Sequence, residues 1–410
     1  MKENQLMKNV SNKVAWDIAV KYAMIVTVMM IGGLFLTGCG GYITGDYIVR
    51  NEAQLREAFA IAENNETVHI TLDADIQLQG GELRVPTGAT IIIDTPRRRP
   101  PMIGNSSTPR SITKIAGEER HFYVPHQSTL NLAGPITIQS QQSALNTAPP
   151  TVDRGGITVN GGTLNINGII NLRNNRWSDG GGVSVENGGT FNKNGSGNIN
   201  GNVASGNGGG IFVQTNSRFN RTGSGDINGN RAGGNGGGVF VQGNSSFIRS
   251  GSGDINENTA GGSGGGIFIH GNSSFNRTGS GNINRNTAGG SGGGIFVQAN
   301  STVSRSGSGN INENIAQIDG GGIFANGIRI TRSGSGNISG NTAQRGGGIA
   351  LLNGAQFNST GSGSVSNNTG GNIDEIDDDS NLPINNEPNI IETPIPEPQP
   401  ETGGGSNQRH

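Results

Sequence analysis

The chain has 410 residues, 73 of them Gly and 52 Asn, with 31% hydrophobic and only 5% aromatic residues. That composition excludes an ordinary helical globule, and abundant Gly without a three-residue period leaves either disorder or a repeat architecture. A net charge of −2 hides an uneven layout, with 11 basic against 6 acidic residues between 180 and 370 and 1 against 9 from 371 onward.

At the N-terminus, Lys2, Lys8, Lys13 and Lys21 precede an uncharged run from Tyr22 to Leu36. The run is shorter than the ~20 residues a bilayer-spanning helix needs, so residues 1–38 read as an export signal. Leu36, Thr37, Gly38 and Cys39 then resemble the lipobox of bacterial lipoproteins. The resemblance implies that Cys39 carries the lipid and begins the mature chain. It also implies that acyl chains hold the protein to a bacterial membrane, at about 0.8 kcal/mol per buried CH₂. Cys39 is the only cysteine, so lipidation would account for an otherwise unpaired exported thiol and leave no disulfide. The competing reading is a chance Cys after an uncleaved membrane anchor.

Residues 39–50 read as a linker. Asn51 and the following EAQLREAFAIAEN predict an amphipathic helix: Asn51 caps it, Gln54 stands where a capping-box partner belongs, and Leu55, Phe59 and Ala62 share a face. It is expected to close the first coil of a solenoid, which would otherwise expose strand edges.

Gly triplets begin at Gly180, Gly208, Gly236, Gly264, Gly292 and Gly320 at 28-residue intervals, with another at Gly346. One unit, GGGIFIHGNSSFNRTGSGNINRNTAGGS from Gly264 to Ser291, contains three short apolar segments around Ile267, Phe275 and Ile283. None can bury itself alone, but units stacked at ~4.8 Å can pair backbone with backbone. The expectation is an all-β, right-handed parallel β-helix of about ten coils. The register is traced through Thr90, Thr129, Thr163, Thr190, Arg218, Ser246, Ser274, Thr302, Arg329 and Gln356. Residues 51–179 make the cap and irregular coils, with insertions at 96–120 and 139–154. Residues 180–370 make the regular coils, and 371–410 an acidic, Pro-rich disordered tail.

Stacking turns each position into a ladder. Ile211, Val239, Ile267, Ile295 and Ile323 are expected inside, with Phe219, Phe247 and Phe275. Asn202, Asn230, Asn258, Asn286, Asn314 and Asn341 are expected to bond amide to amide at a turn, where Asn tolerates left-handed geometry. Ile199 to Asn202, Ala204 and Gly208 to Ile211 resemble the paired FxxN and GGA[ILV] motifs of polymorphic outer membrane protein repeats, with Ile for Phe and Gly for Ala. The resemblance, over about 180–370, implies a pectin-lyase-like β-helix used in adhesion. That family's passengers are followed by a translocating barrel; here a polar tail follows, and the lipid anchor would take the barrel's place.

With Ile211 and Val213 inward, Phe212, Phe240, Phe268, Phe296 and Phe324 are expected as an exposed aromatic strip. Lys193, Arg221, Arg249, Arg277, Arg305 and Arg332 are expected as a cationic one. Together they would bind acidic glycans or another anionic surface partner by guanidinium pairing and stacking. The alternative is that Arg stems shield the backbone and Phe stabilises the sheet.

A polysaccharide-cleaving reading needs two carboxyl groups about 5 to 9.5 Å apart on one face. Asp226 and Asp254 occupy one ladder position, yet Asn282, Asn310 and Asn337 follow there, so they read as turn or strand residues. Asp254, Asn256 and Asn258 begin like a calcium loop but lack its Gly and closing Glu. The five His residues show no metal or triad spacing. Arg97, Arg98, Arg99, Arg110 and Lys114 could meet phosphate or acidic sugar, but an exported, lipidated chain points away from nucleic acid. The reading is a surface-displayed, lipid-anchored, non-catalytic adhesin or glycan-binding module without cofactor or metal. A polysaccharide-active enzyme and a passive stalk are its alternatives.

Overall fold

Strands of two to six residues bury their apolar side only by pairing with equivalents from neighbouring units, and every named strand pair in this chain is parallel and joins successive coils. The structure, a computed structural model, describes residues 45–62, 66–96, 108–141, 153–298 and 300–376. It is a parallel β-solenoid with three long sheets of 12, 11 and 11 strands and a fourth of 6.

In the unit from Gly264 to Ser291 the strands are Ile267–Ile269, Ser274–Arg277, Ile283–Asn284 and Thr287–Ala288. They pair in register with Ile295–Val297, Thr302–Arg305, Ile311–Asn312 and Ile315–Ala316 of the next coil. The fourth strand lies outside the three expected apolar segments, because two residues with one buried Ala give no readable period. The traced register holds: Thr90 faces Thr129, Thr129 faces Thr163, Thr163 faces Thr190 and Thr190 faces Arg218.

The glycine triplets have a steric cause. Gly264 has φ +69°, and a Cβ on Gly265 would lie 2.5 Å from the carbonyl oxygens of both Gly293 and Thr287. The backbone ladder continues through the triplet, with Gly265 N–H donating to Gly292 O and Gly266 N–H to Gly293 O, each at 3.1 Å. Side chains are excluded because neighbouring coils approach backbone to backbone there.

Helix α1 (Glu52–Ala60) buries Leu55, Ala58 and Phe59, and Ala62 is buried just beyond it. Asn51 accepts from Gln54 N–H at 3.0 Å, and the Gln54 side chain accepts from Arg50 N–H at 2.8 Å, one residue before the expected partner. Strand Gly45–Val49 pairs with Thr67–Leu72, so part of the presumed linker is the first rung. Arg110–Lys114 is likewise a strand paired with Ile136–Ser140, inside the region expected as an insertion. At the other end Ile373–Ile376 pairs with Ile349–Leu352, so the solenoid runs past the boundary expected at 370.

Ile211, Val239, Ile267, Ile295 and Ile323 line the core, all 2% exposed or less. Phe191, Phe219, Phe247 and Phe275 stack beneath them with centroids 4.6 to 5.0 Å apart.

Candidate functional site

The two ladders expected at the surface are both buried. Phe212, Phe240, Phe268, Phe296 and Phe324 are 3 to 8% exposed and form a second hydrophobic cluster with Ala350, Leu352 and Ile376. Alternation does turn them away from Ile and Val, but the glycine-led segment folds against that side: a Cβ on Gly236 would lie 2.8 Å from Phe240 Cβ, and one on Gly264 2.8 Å from Phe268 Cβ. The rings stack along the solenoid at 4.7 to 5.2 Å. They are not a binding strip.

The cationic ladder points inward. Arg221, Arg249, Arg277, Arg305 and Arg332 are at most 3% exposed, and Lys193 is fully buried. Period two already requires this: Arg277 stands two residues after the core residue Phe275, so both share one face. Arg221 Nη2 donates to Gly225 O at 2.5 Å in its own coil and to Asp254 O at 3.1 Å in the next. Arg249 repeats this with Gly253 O at 2.6 Å and Asn282 O at 3.1 Å. Glycine is needed at these corners, since a Cβ on Gly281 would meet Arg249 Nη2 at 2.5 Å and Gly253 O at 2.1 Å.

Lys193 heads the same column, donating through Nζ to Gly195 O at 3.3 Å and also to Gly197 O. Burial first, and the Arg221 guanidinium second, push its ammonium down to about 7 from the ordinary 10.5. Between those values the unfolded chain holds more protons than the folded one, so stability rises with pH across the window and is lower below it. The slope contributed by this one group is at most about 1.4 kcal/mol per pH unit. Lys193→Met should flatten that part of the profile in denaturant unfolding followed across the window, and a variant that keeps the whole slope would contradict the assignment.

The Asn ladder forms, and its amides are its mechanism. Asn202, Asn230, Asn258, Asn286, Asn314 and Asn341 are 0 to 1% exposed. Asn258 Nδ2 donates to Asn286 Oδ1 and to Ile227 O, both at 2.9 Å, while its Oδ1 accepts from Asn230 N–H at 3.0 Å and Asn230 Nδ2 at 2.9 Å. The ladder extends to Asn175 and Asn368. Its Asn residues are not the left-handed ones; the preceding residues Gly201, Gly229, Glu257, Arg285, Glu313 and Gly340 have positive φ.

Asp226 and Asp254 belong to a second Asx ladder. Asp226 Oδ1 accepts from Asp254 N–H at 2.7 Å, and Asp254 Oδ1 from Asn282 N–H at 2.6 Å. Each thus has one carboxylate oxygen committed to the next coil. Among the described residues no group of three or more His, Cys, Asp or Glu could hold a metal ion. Lys114 is buried, bonded to Gly80 O and 3.7 Å from Glu119, and Arg110 donates to Leu72 O at 3.3 Å, so neither is a free anion-binding group. Cys39 and Arg97 to Arg99 lie outside the described residues.

Two buried groups gave no sequence signal because they sit in the irregular coils. Arg120 donates to Asp179 O and Gly180 O, each at 2.8 Å, and lies 4.7 Å over the Trp177 ring, pinning the first glycine triplet. His121 Nδ1 accepts from Gly156 N–H at 3.0 Å and Nε2 donates to Gln139 O at 2.9 Å, and burial lowers its pKa to about 3. It is a neutral structural imidazole.

One corner of the outer surface carries exposed, uncharged hydroxyls, while charged side chains such as Arg218, Glu257, Arg285 and Glu313 are exposed elsewhere. On the corner before each Asx residue, Thr222 and Ser224, Ser250 and Ser252, Thr278 and Ser280, and Ser306 and Ser308 are exposed, one pair per coil. The flanking glycines Gly223, Gly251, Gly279 and Gly307 are buried. No aromatic residue is among the exposed large hydrophobics of the described residues. Comparison with known proteins finds no matching family model, no matching curated protein and no matching solved structure.

Proposed function

We propose that the chain is an exported bacterial lipoprotein, anchored through Cys39, whose solenoid is displayed as a non-catalytic adhesin or glycan-binding module with repeats akin to those of polymorphic outer membrane proteins. The supporting observation is the exposed double row of hydroxyls, one pair per coil, of which only that of Thr222 is seen to donate within the protein, to Asn194 Oδ1 at 2.8 Å. A partner that repeats along its own length, such as a polysaccharide, meets equivalent groups at ~4.8 Å steps. With no aromatic residue among the exposed large hydrophobics of the described residues, recognition would rest on hydrogen bonds, so neutral hydroxyl-rich chains suit it better than the acidic glycans expected of a cationic strip. The engaged oxygens of Asp226 and Asp254 favour binding over cleavage.

Glycan-array binding of the full chain tests the reading. Thr278→Lys with Ser280→Lys should weaken a retained glycan at least about tenfold, or ~1.4 kcal/mol. No retained glycan, or equal binding by the variant, would remove this surface from consideration. Cys39→Ser should abolish incorporation of labelled lipid and release the protein from membranes.

A further inference from the structure

The guanidiniums of Arg221, Arg249, Arg277, Arg305 and Arg332 stand at successive rungs inside the solenoid, at most 3% exposed. Each has five N–H donors and a charge it does not lose. The protein satisfies only one edge: Nη2 reaches the carbonyls of Gly225, Gly253, Gly281, Gly309 or Gly363, while Nε and Nη1 of all five are inaccessible and have no hydrogen-bond acceptor.

Charge is no better balanced. Asp226 and Asp254 act on the first rungs, but the charged group that bears on Arg305 is another guanidinium, that of Arg332. Buried cations are stable when paired, and a row of like charges with idle donors calls for acceptors that carry negative charge. The interval between rungs, ~4.8 Å, suits a monatomic ion better than a carboxylate-bearing molecule.

We propose that this column is an anion-binding core that takes up halide-class monovalent anions against the Nε–H and Nη1–H groups of successive arginines. The anions would neutralise the stack and complete its hydrogen bonding, making them part of the folded interior.

Bromide is the probe. Crystals of the full chain grown in sodium bromide should show anomalous scattering peaks within hydrogen-bonding distance of Nε or Nη1 along the column. In solution, exchanging gluconate for bromide at constant ionic strength should raise the thermal midpoint by several degrees. In Arg249→Met with Arg277→Met the rise should fall to half or less. Peaks confined to the surface, water alone beside the guanidiniums, or a midpoint of the unaltered chain indifferent to bromide would each overturn the proposal. The unaltered chain decides the matter even where the double variant does not fold.

Discussion

Asn258→Ala is expected to lower the stability of the solenoid by about 3–5 kcal/mol, read as a fall in the denaturant midpoint. The side chain lost is small, but three buried groups bond to it: Asn230 N–H, which has no other partner here, the Asn230 amide nitrogen, which keeps only its bond to Ile199 O, and Ile227 O, which keeps only its strand pairing. Each buried donor or acceptor left without a partner costs about 1–3 kcal/mol. Asn258→Asp should be worse, since it places an acceptor against Asn286 Oδ1 and Ile227 O where Nδ2 donated. A change under about 0.5 kcal/mol, the ordinary effect of a surface substitution, would mean that the amide column carries no net stabilisation.

Phe268→Ala should cost a comparable amount, about 3–5 kcal/mol, as for aromatic truncation in a packed core. Phe268 lies between Phe240 at 4.9 Å and Phe296 at 4.7 Å, with rings within 4° of parallel, so the substitution removes burial and two stacking contacts together. The experiment separates the two placements of this ladder. A solvent-exposed ring could be removed almost without penalty, whereas a ring under the glycine-led segment leaves a cavity that the stacked coils on either side restrain from collapsing. Unfolding of the variant followed by near-UV circular dichroism and by denaturant midpoint checks both consequences.

These effects clarify what the sequence could and could not convey. The repeat spacing, the parallel register and the identity of the core ladders were readable because a 28-residue period with alternating Ile, Phe and Asn admits few other arrangements. The amide column was readable for the same reason. The two strips expected at the surface are buried for two different physical reasons. For Arg277, the charge suggests solvent, but Phe275 two residues away fixes the inward face by alternation. For Phe268, alternation turns the ring away from the main core, but the ring meets a second apolar cluster there and not water. The clue is the glycine triplet, whose left-handed Gly264 approaches so closely that a Cβ there would lie 2.8 Å from Phe268 Cβ, on the side alternation turns away from the core. Arg120 and His121 lie where the period breaks, and no local pattern distinguishes a buried arginine that caps carbonyls from a solvated one.

Because each coil bonds only to its neighbours and meets them through the same residue types, the solenoid has interchangeable parts. Excising Gly264 to Ser291 would bring Gly292 up against Ser263 and set Ile295 beside Val239, Asn314 beside Asn258 and Arg305 beside Arg249, pairs of the kinds the present coils already make. Gene-level loss or duplication of one unit would therefore shorten or lengthen the molecule by ~4.8 Å without creating a junction foreign to it, so its reach can drift in whole steps while its chemistry stays constant.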